Sequence, residues 1–329
     1  MKNSIRRGIF LFVVFTAAAY FLIFIFYLKD LPQNISIDFR LTHICGIMLL
    51  FSVSVVFNIL RVFFLGKIFS KTFTFYDSSL FTLGGVLLAL ITPFQAGGMP
   101  FQLYIMSKRS ISPGEGSSIL ISRGLQSVVV FIVTIPFTLT FFSHLLTGSM
   151  VANLIKYFLM LYSVLFVVTA TVLSFTERIK RILTEKKMNV RLRNALFKVL
   201  DEVVNFKKAI YAMFTKGIKE SIFSLICTFI SLYAGFALTY FIVLMAKGST
   251  DFFLSFNIQF ILTYLSAFVP TPGSSGVAEG GIALLYSQIV PKQQILLFIF
   301  LLRLVTTYIP ALLGLFLMFG KKSILQEMK

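Results

Sequence analysis

"ALITPFQAGGMPFQLY", Ala89 to Tyr104, interrupts an apolar run with Pro93, Gln95, Gly97, Gly98 and Pro100. Leu88 to Thr92 has the composition of a membrane helix, yet the amides of Gln95 and Gln102 follow within a few residues. Hydrocarbon does not solvate an amide, and backbone that leaves the helix at membrane depth must find its partners in protein or in a water-filled cavity. The stretch therefore reads as the tip of a hairpin that turns inside the bilayer, and the rest of the chain bears on that reading.

The chain has 329 residues, 57% of them hydrophobic and 13% charged, with a mean hydropathy of +0.92. A soluble globule carries about a quarter charged residues. Here apolar runs of roughly 20 residues alternate with short polar gaps, the pattern of an all-α polytopic membrane protein. The net charge of +18 could suggest nucleic acid. The basic residues instead lie beside apolar spans, which favours topology control and an anionic lipid surface. Cys45 and Cys227 stand singly in apolar spans and read as buried thiols, and His43 and His144 are too few for a histidine-rich metal site. No metal or cofactor is expected. There is no P-loop, no G-x-S-x-G and no H-E-x-x-H, and "SPGE", Ser112 to Glu115, reads as a turn and a helix start.

Lys2, Arg6 and Arg7 precede the apolar run Ile9 to Leu28. This run is longer than a signal-peptide core and lacks a clear cleavage site, so a retained first span is preferred to a cleaved leader. Full spans are expected at 8–28, 41–65, 118–142, 153–174, 221–246 and 293–319, with interrupted stretches at 80–106 and 252–290. The N-terminus, 66–79, Lys108–Arg109, 175–220 and Lys321–Lys322 are basic, and the other connections are nearly neutral. The positive-inside rule places the basic set, with both termini, in the cytoplasm of a multi-pass cell-membrane protein. The assignment closes only if each interrupted stretch leaves on the side it entered, giving six full spans and two re-entrant hairpins.

The two hairpins resemble each other. Thr92–Pro93 and Thr271–Pro272 open the tips 179 residues apart, and Arg123 and Arg303 follow 180 apart. The unit span–hairpin–span thus occurs twice, with the hairpins opening to opposite sides, as in the inverted repeats of transporters. Three regions follow: 1–174 with the hairpin 80–106, a linker at 175–220, and 221–329 with the hairpin 252–290. The linker holds twelve Lys/Arg against five Asp/Glu, and Leu192, Leu196, Val199, Val203, Ile210 and Phe214 recur at helical spacing. It reads as a basic amphipathic helix on the inner leaflet, whether as a lipid sensor or as a solvated linker.

The second tip, "FVPTPGSSGVAEGGIALLY", Phe268 to Tyr286, contains one acidic residue, Glu279. Return helices offer free N–H groups that favour an anion such as phosphate. Arg123 and Arg303 lie inside apolar spans, where an unpaired charge costs about 3 kcal/mol or more. Two readings stand side by side: bidentate contact with a lipid phosphate, or snorkelling for Arg123 and an internal pair with Glu279 for Arg303. The candidate headgroup set is Arg123, Arg303, Glu279, Gln95, Gln102, Ser274 and Ser275. Pro93, Gly97, Gly98, Pro270, Pro272, Gly273 and Gly276 shape the tips. Arg61 reads as an anchor near a cytoplasmic end, and Asn58, Gln126 and Gln259 as interhelical hydrogen-bonding groups.

"TPFQAGGMPFQLYIMSKRSIS", "ISRGLQS" and "VPTPGSSGVAEGG" resemble the flippase-like membrane family that includes the transmembrane region of lysylphosphatidylglycerol synthase, also called the multiple peptide resistance factor. The resemblance spans nearly the whole chain. It implies movement of an aminoacylated phospholipid between leaflets, a role tied to antibiotic resistance. In full-length synthases a separate C-terminal domain performs the aminoacyl transfer, and a chain ending at Lys329 is expected to lack it. Many relatives carry Glu after Gly in the first tip where this chain has Met99 and Pro100. Archaeal relatives linked to polyprenyl-phosphate lipids widen the substrate range.

The expected function is a flippase or scramblase-like transporter for an anionic, aminoacylated or polyprenyl-phosphate lipid, with no catalytic residues. Its expected partners are membrane lipids and a separate cytosolic lipid-modifying enzyme, with no nucleic acid. The rivals are a membrane-bound lipid transferase, a scaffold that docks a synthetase through 175–220, and a small-solute transporter.

Overall fold

The computed structural model describes residues 36–92, 97–146, 217–266 and 274–320, with a few more at 17–25 and 204–215. The described residues are helical, with no strand among them. The helices are α1 (Leu41–Phe69), α2 (Phe75–Ser79), α3 (Gly85–Leu90), α4 (Gly98–Ser107), α5 (Pro113–Leu146), α6 (Ile218–Met245), α7 (Phe252–Ser266), α8 (Val277–Tyr286), α9 (Ile295–Arg303) and α10 (Ile309–Gly320). Two π-helical turns join neighbours without a break: Leu80–Gly84 links α2 to α3, and Leu304–Tyr308 links α9 to α10.

Among the described residues four helices are long and apolar enough to cross a membrane: Leu41–Phe69, Pro113–Thr138, Ile218–Met245 and Lys292–Met318. They match the expected spans 41–65, 118–142, 221–246 and 293–319, with ends shifted by a few residues. The expected spans 8–28 and 153–174 and the basic helix 175–220 lie largely outside the described residues.

Element lengths repeat along the chain. A long helix, a shorter apolar helix, a ten-residue helix and a second long helix occur in that order twice, and the ten-residue members are α4 and α8. Contacts tie these shorter helices together. Arg109 binds Asp77 through two hydrogen bonds of 2.9 and 3.1 Å, so α2 meets the residues just after α4. The Ser249 N–H donates to the Ile289 carbonyl at 3.0 Å, which does the same around α7 and α8.

α1 and α6 run antiparallel along the centre. The Asp38 N–H donates to the Met245 carbonyl, Ser54 and Ser231 exchange hydrogen bonds, and the Ser224 hydroxyl donates to the Arg61 carbonyl. Small hydroxyl residues suit such a contact, because apolar burial drives little helix association where lipid is as apolar as leucine. α1 keeps Leu41, Met48, Leu49 and Val56 exposed while Ile59, Val62 and Leu65 are buried. Gly314 on α10 lies against the π turn 80–84, and a Cβ there would overlap the Leu83 backbone.

Polar side chains close the remaining interfaces. The Gln126 amide oxygen accepts from the Ser224 and Thr228 hydroxyls at 3.0 Å each, which bears out its expected role between helices. Thr138 donates to Asn257 at 2.8 Å, and the Tyr264 hydroxyl donates to the Ser127 carbonyl at 2.7 Å. Ser112 and Glu115 form the expected helix start: the Ser112 N–H and hydroxyl both donate to the Glu115 carboxylate at 2.8 Å.

Candidate functional site

A cavity of about 360 Å³ opens between α1, α6 and the two π turns. The π turn 80–84 supplies Thr82 and Leu83, and the π turn 304–308 supplies Val305 and Thr306. A π turn rotates the helix out of register and is frequent at functional sites. Among the described residues two cations line this cavity, Arg61 and Arg123, and no carboxylate does.

Arg61 keeps only 6% of its surface exposed, and its Nε has no hydrogen-bond partner. The Arg123 guanidinium lies over the Phe81 ring at 5.1 Å, a cation–π contact, and its Nε is buried without a partner. The Thr82 hydroxyl, on the same wall, is buried and unpartnered. The two guanidinium groups lie within electrostatic reach of each other. Arg61, Arg123 and Thr82 thus line one cavity, and each keeps a polar atom without a hydrogen-bond partner, although nearly all buried polar atoms in folded proteins are satisfied. An oxyanion is the chemistry complementary to two guanidinium groups on one cavity.

The cavity also sits on the internal repeat. Ser54 and Ser231 both line it and stand 177 residues apart. The same spacing pairs Val55 with Leu232, Asn58 with Gly235 and Arg61 with Leu238. It also pairs Thr82 with Gln259 and Val86 with Thr263. Position repeats but charge does not, since Leu238 stands opposite Arg61.

Of the residues expected to touch a headgroup, Arg123 lines the cavity. Arg303 does not: its Nε donates to Glu279 Oε1 at 2.9 Å, with the pair buried. Its Nη1 donates to the Thr307 hydroxyl at 3.4 Å. The other carboxylate oxygen of Glu279 accepts from the Gly276 N–H at 2.6 Å and caps α8. Gly276 has φ of 84°, a conformation that favours glycine. The internal pair between Arg303 and Glu279 is therefore formed, and together with the cap on Gly276 it engages both oxygens of the one acidic residue of the second tip.

Ser274 is buried and its hydroxyl donates to the Ser266 carbonyl at 2.9 Å, while Ser275 is fully buried beside it. The Gln102 amide donates to the Phe81 carbonyl at 3.3 Å, under Arg123's ring partner. In the first tip the Gly97 N–H donates to the Thr92 hydroxyl at 2.9 Å, and that hydroxyl donates to the Leu88 carbonyl at 2.7 Å. Gly98 is buried where α4 meets α3. Pro93, Gln95, Pro270, Pro272 and Gly273 lie outside the described residues.

Arg61 corrects the expectation of a cytoplasmic anchor. α1 continues more than two turns beyond it, to Phe69, which carries its side chain into the protein interior instead of to the surface. The apolar "VFFLG" that follows Arg61 was the available signal. Asn58 and Gln259 likewise face the cavity, and Gln259 also accepts a 3.3 Å hydrogen bond from Tyr286.

Long apolar helices define a polytopic helical membrane protein, and here they surround a cavity lined by two arginines. The chain belongs to the family described as the lysylphosphatidylglycerol synthase TM region, whose match covers residues 9–314. It is also 26% identical over 255 residues to a UPF0104 membrane protein of Archaeoglobus fulgidus, covering 75% of this chain and 76% of that one. No solved structure matches it.

Proposed function

We propose that the chain moves a phosphate-bearing lipid, anionic or aminoacylated, between the leaflets of the cell membrane. The headgroup occupies the Arg61–Arg123 cavity while the acyl chains stay in the bilayer. The observation that carries this reading is that Arg61 and Arg123 line one cavity whose other described lining residues are neutral. Uncompensated charge inside a membrane protein marks a substrate path far more often than a structural element.

The fold supports transport in two ways. Ten-residue helices such as α4 and α8 are about 15 Å long, half the hydrocarbon core of about 30 Å. Hairpins of that depth, closed at the base by Asp77–Arg109 and Ser249–Ile289, behave as re-entrant elements. Equivalent helices α1 and α6 pack antiparallel, as an inverted repeat requires, and such repeats place the substrate site at their interface. The full count of six spans and two re-entrant hairpins, with both termini cytoplasmic, completes this topology.

The test is leaflet exchange of labelled lipids with several headgroups in proteoliposomes of the purified chain. Exchange faster than in protein-free liposomes supports transport, and equal rates for every headgroup defeat it. The family's description favours a second reading, in which the chain is the membrane partner of a separate lipid aminoacyltransferase. That reading requires a synthetase to co-purify and exchange to be absent.

A further inference from the structure

We infer that the cavity selects lipids whose headgroup carries net negative charge and rejects headgroups bearing an aminoacyl ammonium. This rests on the transport reading and narrows its substrate class.

The charge of the wall decides the matter. Its ionisable members are Arg61 and Arg123, and the other described lining residues are neutral. Two buried carboxylates, Glu279 and Asp77, are already engaged. Glu279 gives one oxygen to Arg303 and the other to the Gly276 N–H. Asp77 is held by both guanidinium contacts of Arg109 and also accepts from the Thr74 N–H and hydroxyl. Neither lines the cavity.

Among the described lining residues an ammonium entering this space would meet two cations and no carboxylate. Two of the aromatic rings at or beside the cavity are already engaged. Arg123 already covers the Phe81 ring, and Phe236 is packed edge-to-face by Phe256 and Phe260. A phosphodiester brings one negative charge to the two guanidiniums, and a phosphomonoester brings up to two. A lysyl ester on the same phosphodiester reverses the sign of the headgroup, and like charges brought together in a desolvated site are strongly disfavoured. The shared chemistry is phosphate, so a free phosphate ion must be distinguished from a lipid.

The experiment uses the full chain in proteoliposomes with fluorescent phosphatidylglycerol and lysyl-phosphatidylglycerol at equal loading. Phosphatidylglycerol is expected to exchange at least about tenfold faster. The double variant Arg61→Gln, Arg123→Gln is expected to level the two rates. Lysyl-phosphatidylglycerol exchanging as fast or faster in the wild type overturns the inference.

If neither lipid exchanges faster than in protein-free liposomes, transport fails while selection is still read from binding. Thermal unfolding of the chain in micelles is then measured with each lipid and with inorganic phosphate. A larger upward shift with phosphatidylglycerol than with the lysyl lipid upholds charge selection. Equal shifts overturn it. A shift with inorganic phosphate but with neither lipid assigns the site to a free anion and overturns the lipid assignment.

Discussion

Ser54 and Ser231 each donate a hydroxyl to the other's carbonyl oxygen, at 2.9 and 2.8 Å. Reciprocal contact between equivalent residues is what a two-fold axis produces, and both serines line the central cavity. The axis relates helices but not charges. Arg61 is matched by Leu238 across it. Arg303 has Glu279, whereas Arg123, 180 residues earlier, has Met99 and Pro100 at the corresponding place. A pseudo-symmetric scaffold thus carries one neutralised arginine in its second half and two arginines facing the cavity in its first.

Arg61 and Arg123 are expected to be costly to stability and necessary to binding. Replacing either with Met removes a buried charge that lacks a counter-ion, so thermal unfolding in lipid-free micelles should occur at the same temperature or higher. The stabilisation produced by adding anionic lipid should be lost in the same variants. A marked fall in lipid-free stability would show that these arginines have structural partners.

Arg303 should behave in the opposite way. Arg303→Met strands Glu279 in a buried site and is expected to cost on the order of 3–5 kcal/mol. The double variant Arg303→Met, Glu279→Gln should recover much of that loss, because Gln keeps the cap on the Gly276 N–H without a charge. Unfolding in mixed micelles reads both, and a double variant no better than the single one would rule out pairing as the source of the loss.

The hairpins make a prediction about sidedness. In a background lacking Cys45 and Cys227, cysteines at Lys71 and Ser107 should be labelled by an impermeant reagent from the cytoplasmic side. Cysteines at Ser249 and Gln288 should be labelled from the other side. All four positions are exposed. Labelling of Lys71→Cys and Ser107→Cys from opposite faces would make the first hairpin a full crossing.

Much of the fold was legible in the one-dimensional pattern. Apolar run length located the four long helices among the described residues. The site was less legible, for physical reasons. Arg303 and Arg123 occupy like positions in sequence, and only the packing of the tips shows that one is neutralised and the other faces a cavity. Arg61 was misjudged because distance from a helix end depends on where α1 stops, and α1 runs on to Phe69. The π turns were invisible, since "LFTLG" and "LVTTY" have ordinary helical composition. Those turns place Thr82 and Thr306 on the cavity wall.

The lipid that stays with the protein through gentle purification tests the cavity most directly. Mass spectrometry of the wild-type chain should find an anionic phospholipid enriched over its share of the membrane, and the Arg61→Gln, Arg123→Gln chain should lose that enrichment. An identical lipid profile for the two proteins would contradict a headgroup site built on these arginines.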